Sequence, residues 1–110
     1  MNLPQLTAWA EEEAESVLTE LPEELCQHLR EVPVFFEGRP GPDDPLPSDT
    51  LGVYEEGAPV PHIRLWLENL WDYAEGNVKT FRAEVRVTLL HEIGHVLGWD
   101  EEDVRLRGLE

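Results

Sequence analysis

Two histidines and a glutamate near the end of the chain have the types and spacing of a metal site, in the run His91-Glu92-Ile93-Gly94-His95. Residues four apart on an α-helix share a face, about 6 Å apart along the axis, so the two imidazoles can converge on one ion. Glu92 lies about 100° further round the helix and borders the same site without being a ligand. Zinc lowers the pKa of a bound water towards about 7, and a neighbouring carboxylate can accept the proton and deliver it to a leaving amine. The motif therefore predicts a Zn²⁺ site at His91 and His95, with Glu92 as the general base.

A catalytic zinc site normally has three protein ligands and an open position for water. Few residues follow His95 in the 110-residue chain, so a glutamate on a distant downstream helix has no room. The third ligand must come from the tail, from upstream or from another subunit. Gly98 fits the left-handed position that ends a helix and would turn the chain back towards the site. Among the acidic residues that follow, Glu101 is the best placed and Asp103 is the alternative.

Two helices are predicted at the start of the chain. Between residues 6 and 21, apolar residues recur at intervals of three and four with glutamates between them, which is typical of an amphipathic helix with an acidic outer face. Pro22 suits the first turn of a second helix that is predicted to end at about Arg30. Cys26 lies within it, where a thiol usually packs as a small buried apolar group.

Three strands are predicted over residues 32–37, 51–55 and 63–68, because these stretches are β-branched or aromatic or alternate in polarity. Residues 38–48 hold two glycines and four prolines and must form a loop. The third strand could be an edge strand that pairs with an extended peptide, although an ordinary sheet strand is the simpler interpretation.

The motif lies on a predicted helix over residues 78–97, whose second half is apolar nearly all round. This pattern predicts the buried central helix of the fold. Asp100 can cap a last short helix over residues 101–107.

Four further polar side chains are candidates for weaker roles. Tyr54 and Tyr73 could each donate a hydrogen bond to an oxyanion, but a half-buried core tyrosine is the safer expectation for both. His28 and His62 have no ligand spacing with other residues and are interpreted as surface or structural residues.

Composition limits the classes of protein to which the chain can belong. Its length predicts a single domain, residues 1–110. Its net charge of −16 repels phosphate backbones, so a nucleic-acid partner is not expected. Cys26 is the only cysteine, which excludes an intrachain disulfide. Because residues 1–4 lack a basic and apolar leader and no stretch approaches a membrane span, a cytoplasmic protein without a membrane partner is expected.

The chain also resembles a known family. The pattern His-Glu-x-x-His-x-x-Gly, then two further residues and a histidine or aspartate, is the signature of metzincins and Asp-zincins, and the chain is similar to the small bacterial zincin-like metallopeptidases. The similarity extends to Leu-Pro-Glu-Glu-Leu, Leu-Gly-Val-Tyr-Glu and Glu-Val-Arg-Val-Thr-Leu-Leu. It implies an α+β, minimal zincin-like fold, with a sheet of three to four strands packed against the motif helix and helices at the N-terminus. It also implies that His91 and His95 are ligands and Glu92 the base, while Glu101 stands where aspartate is usual.

Three functions follow from these observations. The leading hypothesis is a zinc-dependent peptidase that hydrolyses peptide or protein substrates with Glu92-activated, zinc-bound water. The chain is also similar to the metalloendonucleases that mature ribosomal RNA, but Glu92 replaces a glycine and Glu101 a histidine of their pattern, and the negative charge disfavours RNA. A third hypothesis is a protein-interaction module with a catalytically silent metal site. The oligomeric state is not predicted.

Overall fold

The structure, a computed structural model, describes residues 1–57 and 59–98. Within these residues, four helices and a three-stranded mixed sheet form an α+β arrangement, which confirms the predicted fold class. The helices are α1 (Leu3–Glu20), α2 (Glu23–Leu29), α3 (Leu67–Tyr73) and α4 (Val78–Val96), and the strands are β1 (Val34–Glu37), β2 (Gly52–Glu55) and β3 (His62–Trp66).

Helix α1 is the predicted amphipathic helix. It begins at Leu3, earlier than predicted, because the side chain of Asn2 accepts a hydrogen bond from the backbone N–H of Gln5 at 3.0 Å. Its buried stripe packs against α3 and α4. The stripe consists of Leu6, Ala10, Ala14 and Val17.

The sheet has the order β1-β3-β2, with β3 parallel to β1 and antiparallel to β2. The idea that residues 63–68 form an edge strand is therefore wrong, because β3 is the central strand. The strand also ends at Trp66, before the predicted end. Leu67 and Leu70 are fully buried at helical spacing, and the chain turns there into α3, which the sequence pattern did not predict.

Helix α4 is the central helix, as predicted. Asn77 caps it by accepting a hydrogen bond from the backbone N–H of Thr80 at 2.9 Å. The helix packs against α1 and α3 on one side and against β2 and β3 on the other. Its second half is not buried all round, since the apolar side chain of Val87 is 38% exposed. Gly98 has a φ of 81°, which confirms the predicted left-handed residue after the helix.

On the sheet face away from α4, Arg64 of β3 holds the proline-rich loop. Its guanidinium donates two hydrogen bonds to Glu37, at 2.7 and 3.0 Å, and two to Asp44, at 3.0 and 3.2 Å. A further bond reaches Glu55 at 3.2 Å. The Arg64 contacts therefore tie all three strands to the loop.

None of the described helices combines the length and the apolar character needed to cross a membrane. The predicted last helix over residues 101–107 lies outside the described residues.

Candidate metal centre

The two motif histidines face each other on successive turns of α4. Their Nε2 atoms are 3.2 Å apart, their ring centroids are 4.8 Å apart, and both side chains are half-buried. The four-residue spacing produces this arrangement directly, because both rings project from the same side of one helix.

The separation of the two nitrogens fits a shared zinc ion. Two nitrogens that each lie 2.0–2.1 Å from a tetrahedral zinc are about 3.3 Å apart, close to the 3.2 Å between His91 and His95. Without metal, the same distance permits a hydrogen bond from one neutral imidazole to the other. Metal binding at this pair would replace the hydrogen bond between the two rings and requires that the proton leave the coordinating nitrogens.

Glu92 lies beside His91 and is 7% exposed, and no other charged side chain of the described residues is buried. Its neighbours along the helix, Ile93 and Leu89, belong to the apolar core. Glu92 and His91 both line an open cleft of about 280 Å³. A carboxylate enclosed in this way interacts strongly with any charge that forms in the cleft.

The opposite wall of the cleft is the start of β2. Gly52 permits this close approach, because a Cβ at that position would lie 2.7 Å from Cγ2 of Thr88 on α4 and 2.7 Å from Cδ2 of Leu65. Glu84, two turns before His91, also lines the cleft. The cleft therefore runs between one strand and the N-terminal side of the motif.

Strand β2 presents a free edge at this cleft. It pairs with β3 alone among the described strands. The carbonyl of Leu51 accepts a hydrogen bond from the N–H of Trp66 at 2.9 Å. In an antiparallel pair, alternate residues turn their N–H and C=O groups to opposite sides, so those of Gly52 and Tyr54 point towards the free edge.

The predicted third ligand, Glu101, and its alternative, Asp103, lie outside the described residues. Within residues 1–57 and 59–98 no three histidine, cysteine or acidic side chains are grouped to hold a metal ion. His91 and His95 are therefore the donor pair that the described chain provides.

The weaker candidates lie away from this cleft. Tyr54 is half-buried against the core, as predicted, whereas Tyr73 is 63% exposed, so the expectation of a core tyrosine is wrong there. Neither tyrosine lines the cleft. His62 bonds to the carbonyl of Val60 at 2.8 Å and to Glu55 at 3.2 Å, and His28 is exposed, which matches the structural and surface roles expected of them.

Sequence reasoning missed Glu84, Thr88 and Gly52 as parts of the cleft. Glu84 and Thr88 precede His91 and Glu92 by whole helical turns, so their spacing could have placed them on the motif's face. Gly52 gives no such signal, because its role depends on how closely β2 approaches α4.

Comparison with known proteins adds one finding. A family model described as zincin-like metallopeptidase matches residues 29–109. The match includes all three strands, α3 and the whole of the motif helix. A comparison with curated proteins found no match.

Proposed function

The chain belongs to the family of zincin-like metallopeptidases, and we propose that it hydrolyses peptide bonds, with a zinc ion held by His91 and His95 and with Glu92 as the general base. The observation that carries this proposal is the pair of Nε2 atoms 3.2 Å apart beside a buried carboxylate. The predicted third ligand remains Glu101.

Zinc, when bound, supplies Lewis-acid activation of water and of a peptide carbonyl. His91, which lines the cleft, and His95 would hold the ion through their Nε2 atoms. Glu92 accepts a proton from the attacking water and donates it to the departing amine, a role that suits a carboxylate adjacent to a ligand. Because Glu92 is 7% exposed, most of its surface is shielded from bulk water during this proton transfer.

The free edge of β2 supplies a binding site for an extended substrate. A peptide that pairs with the outward N–H and C=O groups of Gly52 and Tyr54 adds a strand to the sheet. The cleft that this strand borders also contains His91 and Glu92, so the bound peptide passes the reactive groups. The free edge of β2 therefore takes the peptide-pairing role that the sequence pattern allowed for residues 63–68.

Glu84 gives the cleft a preference for basic peptides. Its carboxylate lines the same cleft as Glu92, and the chain as a whole carries a charge of −16. Both features favour peptides with lysine or arginine near the cleaved bond and disfavour the phosphates of RNA.

The experiment compares the zinc-loaded chain with its Glu92→Gln variant on a peptide library. We expect the variant to keep its zinc and to lose at least about 100-fold in kcat/KM, the low end of what general-base catalysis contributes. Glu56→Gln, an equal change at an exposed loop position, serves as the control and should retain activity.

Hydrolysis that survives in Glu92→Gln, or that persists in a fully metal-stripped chain, would refute the proposed mechanism. Stoichiometric zinc without cleavage of any library peptide would instead support the catalytically silent module.

A further inference from the structure

A second concave surface lies between α1, α2 and β1 and shares no lining residue with the cleft of His91. We call it the α1–β1 groove. Its volume is about 610 Å³, within the range of roughly 300–1,000 Å³ that is typical of ligand sites. Nothing in the proposed peptidase mechanism uses it.

The floor of the groove is apolar. On the strand side, Val32, Val34 and Phe36 line it, as expected of alternate residues that point to one face. On the helix side, Leu18 of α1 is 38% exposed and Leu29 of α2 is buried beneath it. Apolar side chains from both helices and from the strand side thus line one groove, in which Leu18 stays partly exposed.

The edge of β1 is open on the same side. Among the described strands β1 pairs with β3 alone. An extended chain placed along this edge would complete main-chain hydrogen bonds and direct every second side chain into the groove. The added strand would then cover the apolar floor of the groove.

The helix wall of the groove is negatively charged. Arg82 pairs with Glu12 at 2.8 Å and with Glu13 at 3.4 Å, on the side of α1 that faces α4. On the groove side, Glu11 and Glu15 line the α1 wall, and no lysine or arginine of the described chain lies within ion-pair distance of either. The arginine that lines the groove, Arg30, is paired with Glu23 at 3.3 Å and so does not neutralise them. The α1 charge is thus compensated on one side only.

The groove thus has an apolar floor, an open strand edge and two carboxylates, Glu11 and Glu15, without a cationic partner among the described residues. Together these features indicate one kind of ligand. We propose that the α1–β1 groove binds an extended segment of a partner protein in which apolar residues alternate with lysine or arginine. The apolar side chains cover Val34 and Leu18, and the basic ones approach Glu11 and Glu15. This binding goes beyond the proposed hydrolysis and requires no zinc.

Cys26 provides a built-in reporter of the groove. It is the only cysteine of the chain and lines the groove, half-buried, with its thiol donating to the carbonyl of Leu18 at 2.8 Å. The probe is a synthetic amide of four Val-Lys repeats, with four Val-Glu repeats as its control. Binding is measured by fluorescence anisotropy on the Glu92→Gln chain, which prevents cleavage of the peptide. Occupancy of the groove is measured by the rate at which iodoacetamide alkylates Cys26.

We expect the Val-Lys peptide to bind, to slow alkylation of Cys26, and to bind about fivefold more weakly to the double variant Glu11→Gln/Glu15→Gln. The matched double variant Glu24→Gln/Glu31→Gln removes the same charge from exposed positions outside the groove and should bind as tightly as the parent chain. Circular dichroism confirms that both variants are folded.

Three results would overturn the proposal. The first is no binding of the Val-Lys peptide, or equal binding of the Val-Glu peptide. The second is binding that leaves Cys26 alkylation unchanged or that falls equally in both double variants, which would place the peptide elsewhere. The third is a chain that sediments as a dimer with Cys26 protected, which would make a second copy the occupant of the groove.

Discussion

His91, Glu92 and His95 owe their relative positions to one helix. An i, i+4 pair is fixed once α4 forms, and the 3.2 Å between the two Nε2 atoms follows from that spacing. The burial of Glu92 has a different cause, since the sheet and α4 must pack together before its carboxylate is enclosed. The distance between the two ligands is thus set by local helical structure, whereas the burial of the base depends on tertiary packing.

The third ligand can be tested at the same scale. We expect Glu101→Ala to weaken zinc binding by more than the roughly 10- to 100-fold that loss of an outer hydrogen-bond partner costs, because a direct donor is removed. Asp103→Ala and Glu102→Ala should bind zinc normally. Competition with a chromogenic chelator measures all three. Loss of affinity in Asp103→Ala alone would assign the ligand to Asp103, and normal affinity in every variant would require a donor from elsewhere.

At the scale of elements, the approach of β2 to α4 shapes the cleft, and Gly52 makes that approach possible. In Gly52→Ala the new methyl group meets Cγ2 of Thr88 and Cδ2 of Leu65, each at 2.7 Å. We expect a loss of about 1–3 kcal/mol in the free energy of unfolding, or roughly 4–8 °C in Tm for each kcal/mol. Thermal melts followed by circular dichroism measure this change.

Two further variants make the test of β2 specific. Thr88→Ser removes one of the two colliding methyl groups and should restore part of the stability lost in Gly52→Ala. Gly57→Ala, whose new methyl group would meet no atom within 4 Å, should leave Tm nearly unchanged. Equal effects of the two alanine substitutions would show that β2 does not approach α4 as closely as described.

The contact between the proline-rich loop and the sheet should depend on pH. The hydrogen bonds from Arg64, followed by the backbone N–H of Gly41, lower the pKa of Asp44 below its usual value. A carboxyl whose pKa is lowered by folding stabilises the protein above its unfolded pKa, near 3.9, and this contribution is lost as the pH falls through the folded value. We therefore expect Asp44→Asn to lower Tm at pH 7 and the difference from the parent chain to shrink below about pH 4. Asp43→Asn, at the exposed neighbouring position, is the control, and an equal change in both variants would contradict the role of Arg64.

For the whole molecule, charge is the dominant feature. Each of the five arginines in the described part of the chain forms an ion pair with a carboxylate, whereas the chain carries a net −16. The described guanidinium groups are thus engaged in ion pairs, and the remaining acidic surface attracts cations. A metal ion and basic peptide segments are the ligands that such a field favours.

The parts of the fold that the sequence predicted are those with a strong local period. In helices α1 and α4, apolar residues recur every three or four positions and predict the buried stripe. The left-handed Gly98 marks the end of α4. Helix α3 was missed because its seven residues directly continue an alternating strand. The central place of β3 was also missed, because strand order depends on pairing between distant segments rather than on the pattern within one.

The central claim is that the motif histidines form one zinc site, and X-ray absorption at the zinc edge of the loaded chain tests it most directly. We expect one zinc per chain, with two imidazole nitrogens at about 2.0–2.1 Å and oxygen in the remaining positions. In His95→Ala the imidazole signal should fall with the zinc content. A chain that takes up no zinc, or a spectrum with sulfur from Cys26 at about 2.3 Å in place of two imidazoles, would contradict the claim.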